Sequence, residues 1–508
     1  MPARVLPFPD RFNAAEFFVD RAVTEHGWGQ RTAFRYQGRS ITYQETAEMV
    51  ARAAGALLAS GVRAEQRVLL ALPDSPDFVT AFFGAIKAGV VPVPVNTFLD
   101  GRDLRYYLDD SGAAALIVHR DLVDRVKSAL PSLTIVAGEG GDWELRLATA
   151  SPLTGAASTH PDDMAFWQYT SGSTGAPKGA VHLHRDMVYA ADVYAIPTQR
   201  LTPEDRIFSA SKMFFAYGLG NSLFCPLRAG ASALLAPERP TPEMCLRTIE
   251  SERPTIFYAV PTLYAAILNH PGNYDTSSLR LAVSAGEALP AEIFRRFQDR
   301  FGVEIIDGIG STEMAHVFIS NRPGECRPGS SGRLVDGYDA RIVDEAGCDV
   351  ADGEIGNLLI SGGSAAAFYW RKAAQTRSTM LGEWLRTGDK YRRDADGYYW
   401  YCGRSDDMMK SSGQWVSPAE VEGALLEHPA ILECAVAAVA GDDGVARPRA
   451  FIVLRDAATQ PSQEAFREFL RARIAHFKVP HTFEVVTELP KTATGKIQRF
   501  KLREQGPR

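Results

Sequence analysis

No two of the six cysteines (Cys225, Cys245, Cys326, Cys348, Cys402 and Cys434) form a CxxC pair. That removes the usual zinc and redox signatures and fits reduced thiols in a cytosolic protein. No unbroken apolar run is long enough to cross a bilayer, and the N-terminus lacks a basic stretch followed by an apolar one. Neither a membrane span nor a secretory leader is therefore expected. An excess of positive charge is missing too. With 55 Lys and Arg against 61 Asp and Glu, the formal net charge is −6, which gives no general reason to expect nucleic acid, although local basic patches stay open. There is no repeat of solenoid length. What is left is ordinary globular composition, 45% hydrophobic and 23% charged, over 508 residues. That is too long for one core. The expectation is a cytoplasmic protein of two or more domains.

Apolar spacing predicts an amphipathic first helix over Asn13–His26, short strands at Thr32–Tyr36 and Arg39–Tyr43, and a helix over Gln44–Ser60 ending at Gly61. Strand, helix and strand follow at 67–72, 77–88 and 90–95, and the order repeats at 104–110 and 113–118. Strands alternating with helices predict α/β architecture with mostly parallel sheet. Residues 138–163 read as connection, and helices and strands alternate again from 206 to 284. After about Gly324 short strands between Gly/Asp turns predict a small β-rich region. Beyond Arg404 the chain returns to mixed α and β, long enough for a separate small lobe. The expected division is 1–405 and 406–508, with the boundary at Asp406.

The densest chemistry lies in Tyr169-Thr170-Ser171-Gly172-Ser173-Thr174-Gly175-Ala176-Pro177-Lys178-Gly179, which packs four Ser/Thr hydroxyls, three glycines and a lysine into eleven residues. Glycines bring backbone N–H groups close to a ligand, hydroxyls add donors, and the lysine adds a point charge. This describes a phosphate cradle, though not the Walker pattern, since Pro177 precedes Lys178 and the apolar Ala180-Val181 predicts a strand. Two further strands end in glycine and acid: Ser284-Ala285-Gly286-Glu287, and Asp307-Gly308-Ile309-Gly310-Ser311-Thr312-Glu313. Open α/β sheets bind ligands at such strand ends. Glu313 could hold Mg²⁺ against phosphate oxygens, because that ion takes one or two carboxylates plus phosphates. Asp389, in Arg386-Thr387-Gly388-Asp389, could grip ribose hydroxyls. Pro490-Lys491-Thr492-Ala493-Thr494-Gly495-Lys496 is either a solvated basic tail or a loop that delivers a lysine.

Taken together and in this order, 169–179, 308–313, 386–389, 403–420 and 490–496 resemble the adenylate-forming enzymes, the superfamily of acyl- and aryl-CoA synthetases and peptide-synthetase adenylation domains. The resemblance spans essentially the whole chain. It implies an α/β fold: a large N-terminal domain of α/β subdomains plus a small β-rich region, and a mobile α+β C-terminal lobe hinged at Asp406. It implies that Thr170, Ser171, Gly172, Ser173, Thr174 and Gly175, with Lys178, hold the ATP β- and γ-phosphates. Glu313 would bind Mg²⁺, Thr312 the α-phosphate, and Gly286-Glu287 with Asp307-Gly308 would flank the adenine. Asp389 would take the ribose, Arg404 the ribose or a phosphate, and Lys496 would bridge the acid and the α-phosphate. After the lobe turns, Lys410, Gly413 and Trp415 would face CoA.

The stretch Lys212–Asn221 and the Asp307–Met314 motif resemble the benzoate-CoA ligase branch. Phe215, Ala216, Tyr217, Gly310 and His316 are the expected acid-pocket residues. The 212–220 run carries no acid to pair an α-ammonium, and an unpaired ammonium there would be costly, so an aryl acid fits better than an α-amino acid. Ala315 is small and leaves room for a ring substituent; benzoate, 2-aminobenzoate (anthranilate) and hydroxybenzoates stay open. The rival readings are a stand-alone enzyme that loads an aryl acid onto a carrier protein, a medium-chain acyl-CoA synthetase, and a non-catalytic nucleotide-binding protein. Oligomeric state stays open, a homodimer included.

Overall fold

The computed structural model describes residues 6–170, 176–405, 407–411, 414–440, 446–456, 458, 460–491 and 497–503. A nine-stranded sheet carries most of the N-terminal region, in the spatial order Arg333–Leu334, Val317–Ser320, Ile305–Gly310, Leu281–Ala285, Ile256–Ala259, Arg206–Ser209, Ser232–Leu234, Thr32–Tyr36 and Arg39–Thr42. Its middle is parallel and both edges are antiparallel. A second sheet is wholly parallel, Val91–Pro94, Arg67–Ala71, Ala115–His119 and Thr134–Ala137. These strands are nearly continuous Val, Leu, Ile and Ala, as buried parallel strands require.

Local chemistry explains the helices between them. Thr42 accepts the Glu45 N–H while Glu45 reaches back to the Thr42 N–H, and this capping box starts helix Tyr43–Ala59. Ser75 caps Pro76–Lys87, with proline at its first position. Replacing either cap with alanine would cost about 0.5–2 kcal/mol. One expectation fails: 138–163 is not plain connection, because Trp143–Thr149 is a helix whose Trp143 is fully buried. Of the short strands expected after Gly324, the first, Arg333–Leu334, joins the edge of the nine-stranded sheet.

The β-rich region is an antiparallel sheet of Asp339–Val343, Gly356–Ser361, Trp384–Arg393 and Met380–Leu381, with Tyr399–Arg404 paired to the long strand. From Met409 onward the chain buries a core of its own, built on Val416, Leu425, Val436, Ile452 and Phe466 among others. Three strands (Ile431–Ala440, Ala446–Leu454, Thr482–Val485) and helices Pro418–Leu426 and Gln463–Arg471 enclose it. Among the described residues no helix is long and apolar enough to cross a membrane.

Candidate active site

Met164–Thr170 and Lys178–Leu183 form an antiparallel pair in which Thr170 faces Lys178, so these two bracket the glycine-rich loop. Both shoulders of that loop are anchored on helix Gly101–Ser111. The Tyr106 hydroxyl donates to Pro177 O at 2.5 Å, and the Tyr169 hydroxyl to Asp110 Oδ2 at 2.9 Å. Lys372 holds the other oxygen of Asp110 at 3.0 Å. Ser171–Gly175 themselves lie outside the described residues, as do Asp406, Gly413 and Lys496 and the side chains of Lys410 and Trp415.

Across from Lys178, strand Ile305–Gly310 runs into the short 3₁₀ turn Thr312–Met314. The Tyr369 hydroxyl donates to Glu313 Oε1 at 2.6 Å, and Lys178 Nζ sits 4.4 Å above the Tyr369 ring. Lysine, tyrosine and carboxylate thus form one contiguous set, drawn from three separate stretches. Among the described residues no group of three or more His, Cys, Asp or Glu side chains could cage a metal. A single oriented carboxylate suits Mg²⁺, which keeps most of its ligands as water and phosphate. Tyr369→Phe is expected to raise the Mg²⁺ half-saturation of ATP binding about tenfold, the low end for a residue that orients a ligand. Titration calorimetry of ATP at stepped Mg²⁺ checks it, and an unmoved midpoint would remove Tyr369 from the site.

The strand ends supply the rest. Ala285 pairs with Gly308 across the sheet, just before Gly286 and Glu287. Gly308 is there for close approach, since a Cβ would meet Ile319 O at 2.7 Å. Asp307 is buried. Its Oδ1 meets no donor within hydrogen-bond geometry, and Leu289 N–H reaches Oδ2 only at 3.4 Å. Burial pushes its pKa up to about 8, against the Ser284 hydroxyl nearby and the N–H groups of Leu289 and Gly308. The sign follows from linkage: an acid with a raised folded-state pKa contributes stability that is complete below the ordinary value, 3.8, and is lost as pH rises toward about 8. Asp307→Asn should therefore flatten the fall in melting temperature between pH 5 and pH 8. Parallel pH slopes for the two proteins would contradict it.

Asp389 and Arg404 face each other on paired strands, 3.2 Å apart, and Arg404 also donates to Thr387 O at 3.1 Å. The residues expected to hold ribose thus arrive as a pre-formed ion pair.

Beyond the turn lies an aromatic cluster. Tyr217 and His316 have ring centroids 6.0 Å apart, and Tyr194 and Phe224 flank His316 at 5.2 and 5.9 Å. His316 is buried, with Nε2 3.1 Å from Asn221 Oδ1, while its Nδ1 has no partner. Burial lowers its pKa to about 3, so the ring is neutral. Ala216 is buried and Phe215 half-buried beside Phe214, 4.5 Å away. Gly310 has no space for a side chain, since a Cβ would meet His316 O at 2.5 Å. Ala315, between Glu313 and His316, has φ +59° and ψ −31° and sits in the main core. The His316 N–H donates to Met314 O at 2.7 Å, closing a three-residue γ-turn around it.

Strand Ile305–Gly310 and the turn at its rim carry Gly308, Thr312, Glu313 and His316, the antiparallel strand Lys178–Leu183 brings Lys178 to the ring of Tyr369 beside Glu313, and the β-rich sheet pairs Asp389 with Arg404. The sequence reading passes over Tyr369 and His182, whose Nε2 meets Thr312 O at 2.7 Å. The aromatic run 368–370 was the one available hint of the former.

This fold and rim define a nucleotide-dependent enzyme of the adenylating type. The chain belongs to the AMP-binding enzyme family: its model matches residues 19–370, and that of the AMP-binding enzyme C-terminal domain matches 420–496. The chain is 47% identical to the benzoate–CoA ligase of Thauera aromatica, over 98% of this chain and 97% of that one. It superimposes on a benzoate CoA ligase from Burkholderia xenovorans with TM-score 0.91 at 46% identity, covering 97% of this chain and 100% of the other. For the anthranilate CoA ligase AuaEII in complex with anthranoyl-AMP the TM-score is 0.93 at 42% identity, with 98% of each chain covered.

Proposed function

We propose that this protein is an ATP-dependent aryl-CoA ligase acting on a benzoate-type acid. The observation that carries the reading is the set Lys178–Tyr369–Glu313, in which Glu313 lies just past the end of a parallel strand and close to the neutral His316 of an aromatic cluster. In the first step an oxygen of the aryl carboxylate bonds to the α-phosphorus of ATP as the bond to pyrophosphate breaks. In the second, CoA thiolate bonds to the acyl carbon and AMP leaves. The acid is ionised at neutral pH, so no base is needed. What is needed is neutralisation of two anions brought together. Lys178 and the loop beside it would hold the departing pyrophosphate, Thr312 the α-phosphate, and the Asp389–Arg404 pair the ribose. Mg²⁺ held by Glu313 would offset phosphate charge. The 212–220 run carries no carboxylate for an ammonium, which supports a flat acid over an α-amino acid.

Lys410, Gly413 and Trp415 would face CoA once the lobe beyond Asp406 turns; the separate core from Met409 onward supports a lobe that moves as a body. An acid panel of benzoate, 2-aminobenzoate, hydroxybenzoates and medium-chain fatty acids, with ATP and Mg²⁺, with and without CoA, tests the reading by mass analysis of AMP and thioester. Acid-dependent AMP without thioester would favour carrier loading, and no pyrophosphate release with any acid would end the enzymatic reading.

A further inference from the structure

Three successive carbonyls of the Glu313 turn each receive a hydrogen bond from outside the turn. Ser364 donates to Met314 O at 2.9 Å and Ala366 N–H to Glu313 O at 2.7 Å. Both come from one stretch. The third donor, His182 at 2.7 Å from Thr312 O, comes from strand Lys178–Leu183, whose first residue is the lysine of the phosphate loop. His182 and Asp186 are almost completely buried, and the imidazole is held on every side. Phe166 stacks on it at 4.9 Å with an interplanar angle of 14°, and its Nδ1 lies 2.9 Å from Asp186 Oδ2. Asp186 is fixed in turn, accepting the Leu183 N–H at 3.0 Å. A carbonyl can only accept, so Nε2 carries a proton and donates it to Thr312 O. The ring therefore cannot rotate away without leaving buried polar groups unmet.

A core histidine needs partners, but nothing in packing alone requires one of them to be the backbone beside Glu313. Lys178 and His182 are four residues apart on one strand, about 13 Å, and project from the same face. We propose that His182 is a positioning residue: it rivets the lysine-bearing strand to the carboxylate-bearing turn and so sets the spacing across the nucleotide site. This rests on the reading of Lys178, Thr312 and Glu313 given above.

The test uses the full-length protein. In His182→Ala, the Mg²⁺ half-saturation of ATP binding by calorimetry should rise about 10- to 100-fold, the range typical of residues that orient a metal ligand. Acid-dependent pyrophosphate release should fall in step, the KM for the acid should stay unchanged, and added imidazole should restore part of the loss. A folded variant with the wild-type Mg²⁺ midpoint overturns the proposal. So do equal losses in adenylation, acid KM and thioester formation from supplied aryl adenylate, which would mark a purely structural histidine. If His182→Ala does not fold, the double variant His182→Leu, Asp186→Leu, which replaces the buried pair by apolar groups, is read by the same outcomes. Glu313→Gln run alongside separates the two claims. An unmoved midpoint there sinks the reading of the site itself, whereas a shift there without one at His182 sinks only the rivet.

Discussion

Replacing Lys496 by alanine is expected to slow formation of the aryl adenylate by about 100- to 1,000-fold, the usual loss when one transition-state donor is removed, while leaving thioester formation from supplied aryl adenylate close to normal. The two lysines of the motif are not equivalent. Lys491 is committed within its own lobe, with both Glu433 oxygens at 2.7–2.8 Å. Its backbone bridges Ile497, and Gln498 N–H donates to Pro490 O at 2.8 Å, so the segment that contains Lys496 is closed at its base. A lysine carried by a separately cored lobe is suited to entering a site and leaving it. Single-turnover assays of each half-reaction decide the matter. If both half-reactions fall equally, the idea that the lobe presents Lys496 for only one of them is wrong. Lys491→Ala is the comparison, and its cost should appear in thermal stability ahead of chemistry.

The second large effect is expected at Gly220. A Cβ at this position would lie 1.9 Å from His316 Cδ2, 2.3 Å from its Nε2 and 3.1 Å from the Phe224 ring. Gly220→Ala must therefore displace the imidazole and disturb its contacts with Asn221 and Tyr217. Overpacking of this kind costs about 1–3 kcal/mol, which in a specificity pocket corresponds to about 10- to 200-fold in kcat/KM. The loss should fall on the aryl acid, with the KM for ATP unchanged and the melting temperature lowered by a few degrees. Unaltered kcat/KM for benzoate in a folded variant would show that His316 does not wall the acid pocket.

Much of this was readable before any coordinates. The crowding of hydroxyls, glycines and a lysine singled out 169–179 as a candidate anion site. Glycine and acid after an apolar strand marked the rims at 286 and 308–313 for the same reason. The α/β alternation followed from apolar strand runs, helical spacing and end signals such as Gly61. Trp143–Thr149 escaped because a seven-residue helix with a single buried side chain, and an Asp142 that makes no capping bond, leaves little periodicity. Tyr369 and His182 escaped for a different reason. Their partners lie 56 and 130 residues away, and apart from the aromatic run 368–370 nothing local distinguishes a core histidine or tyrosine from one that aims at a turn.

The γ-turn at Ala315 bears on how this pocket can change. A backbone at φ +59°, ψ −31° is open to glycine, tolerable for alanine or asparagine, and hostile to valine, isoleucine or threonine. A library that seeks new acids by diversifying 315 would mostly return unfolded or idle protein. Positions 216, 217 and 316, whose backbones carry no such restriction, are the ones free to drift, so acid preference in this lineage should shift around Ala315 instead of through it.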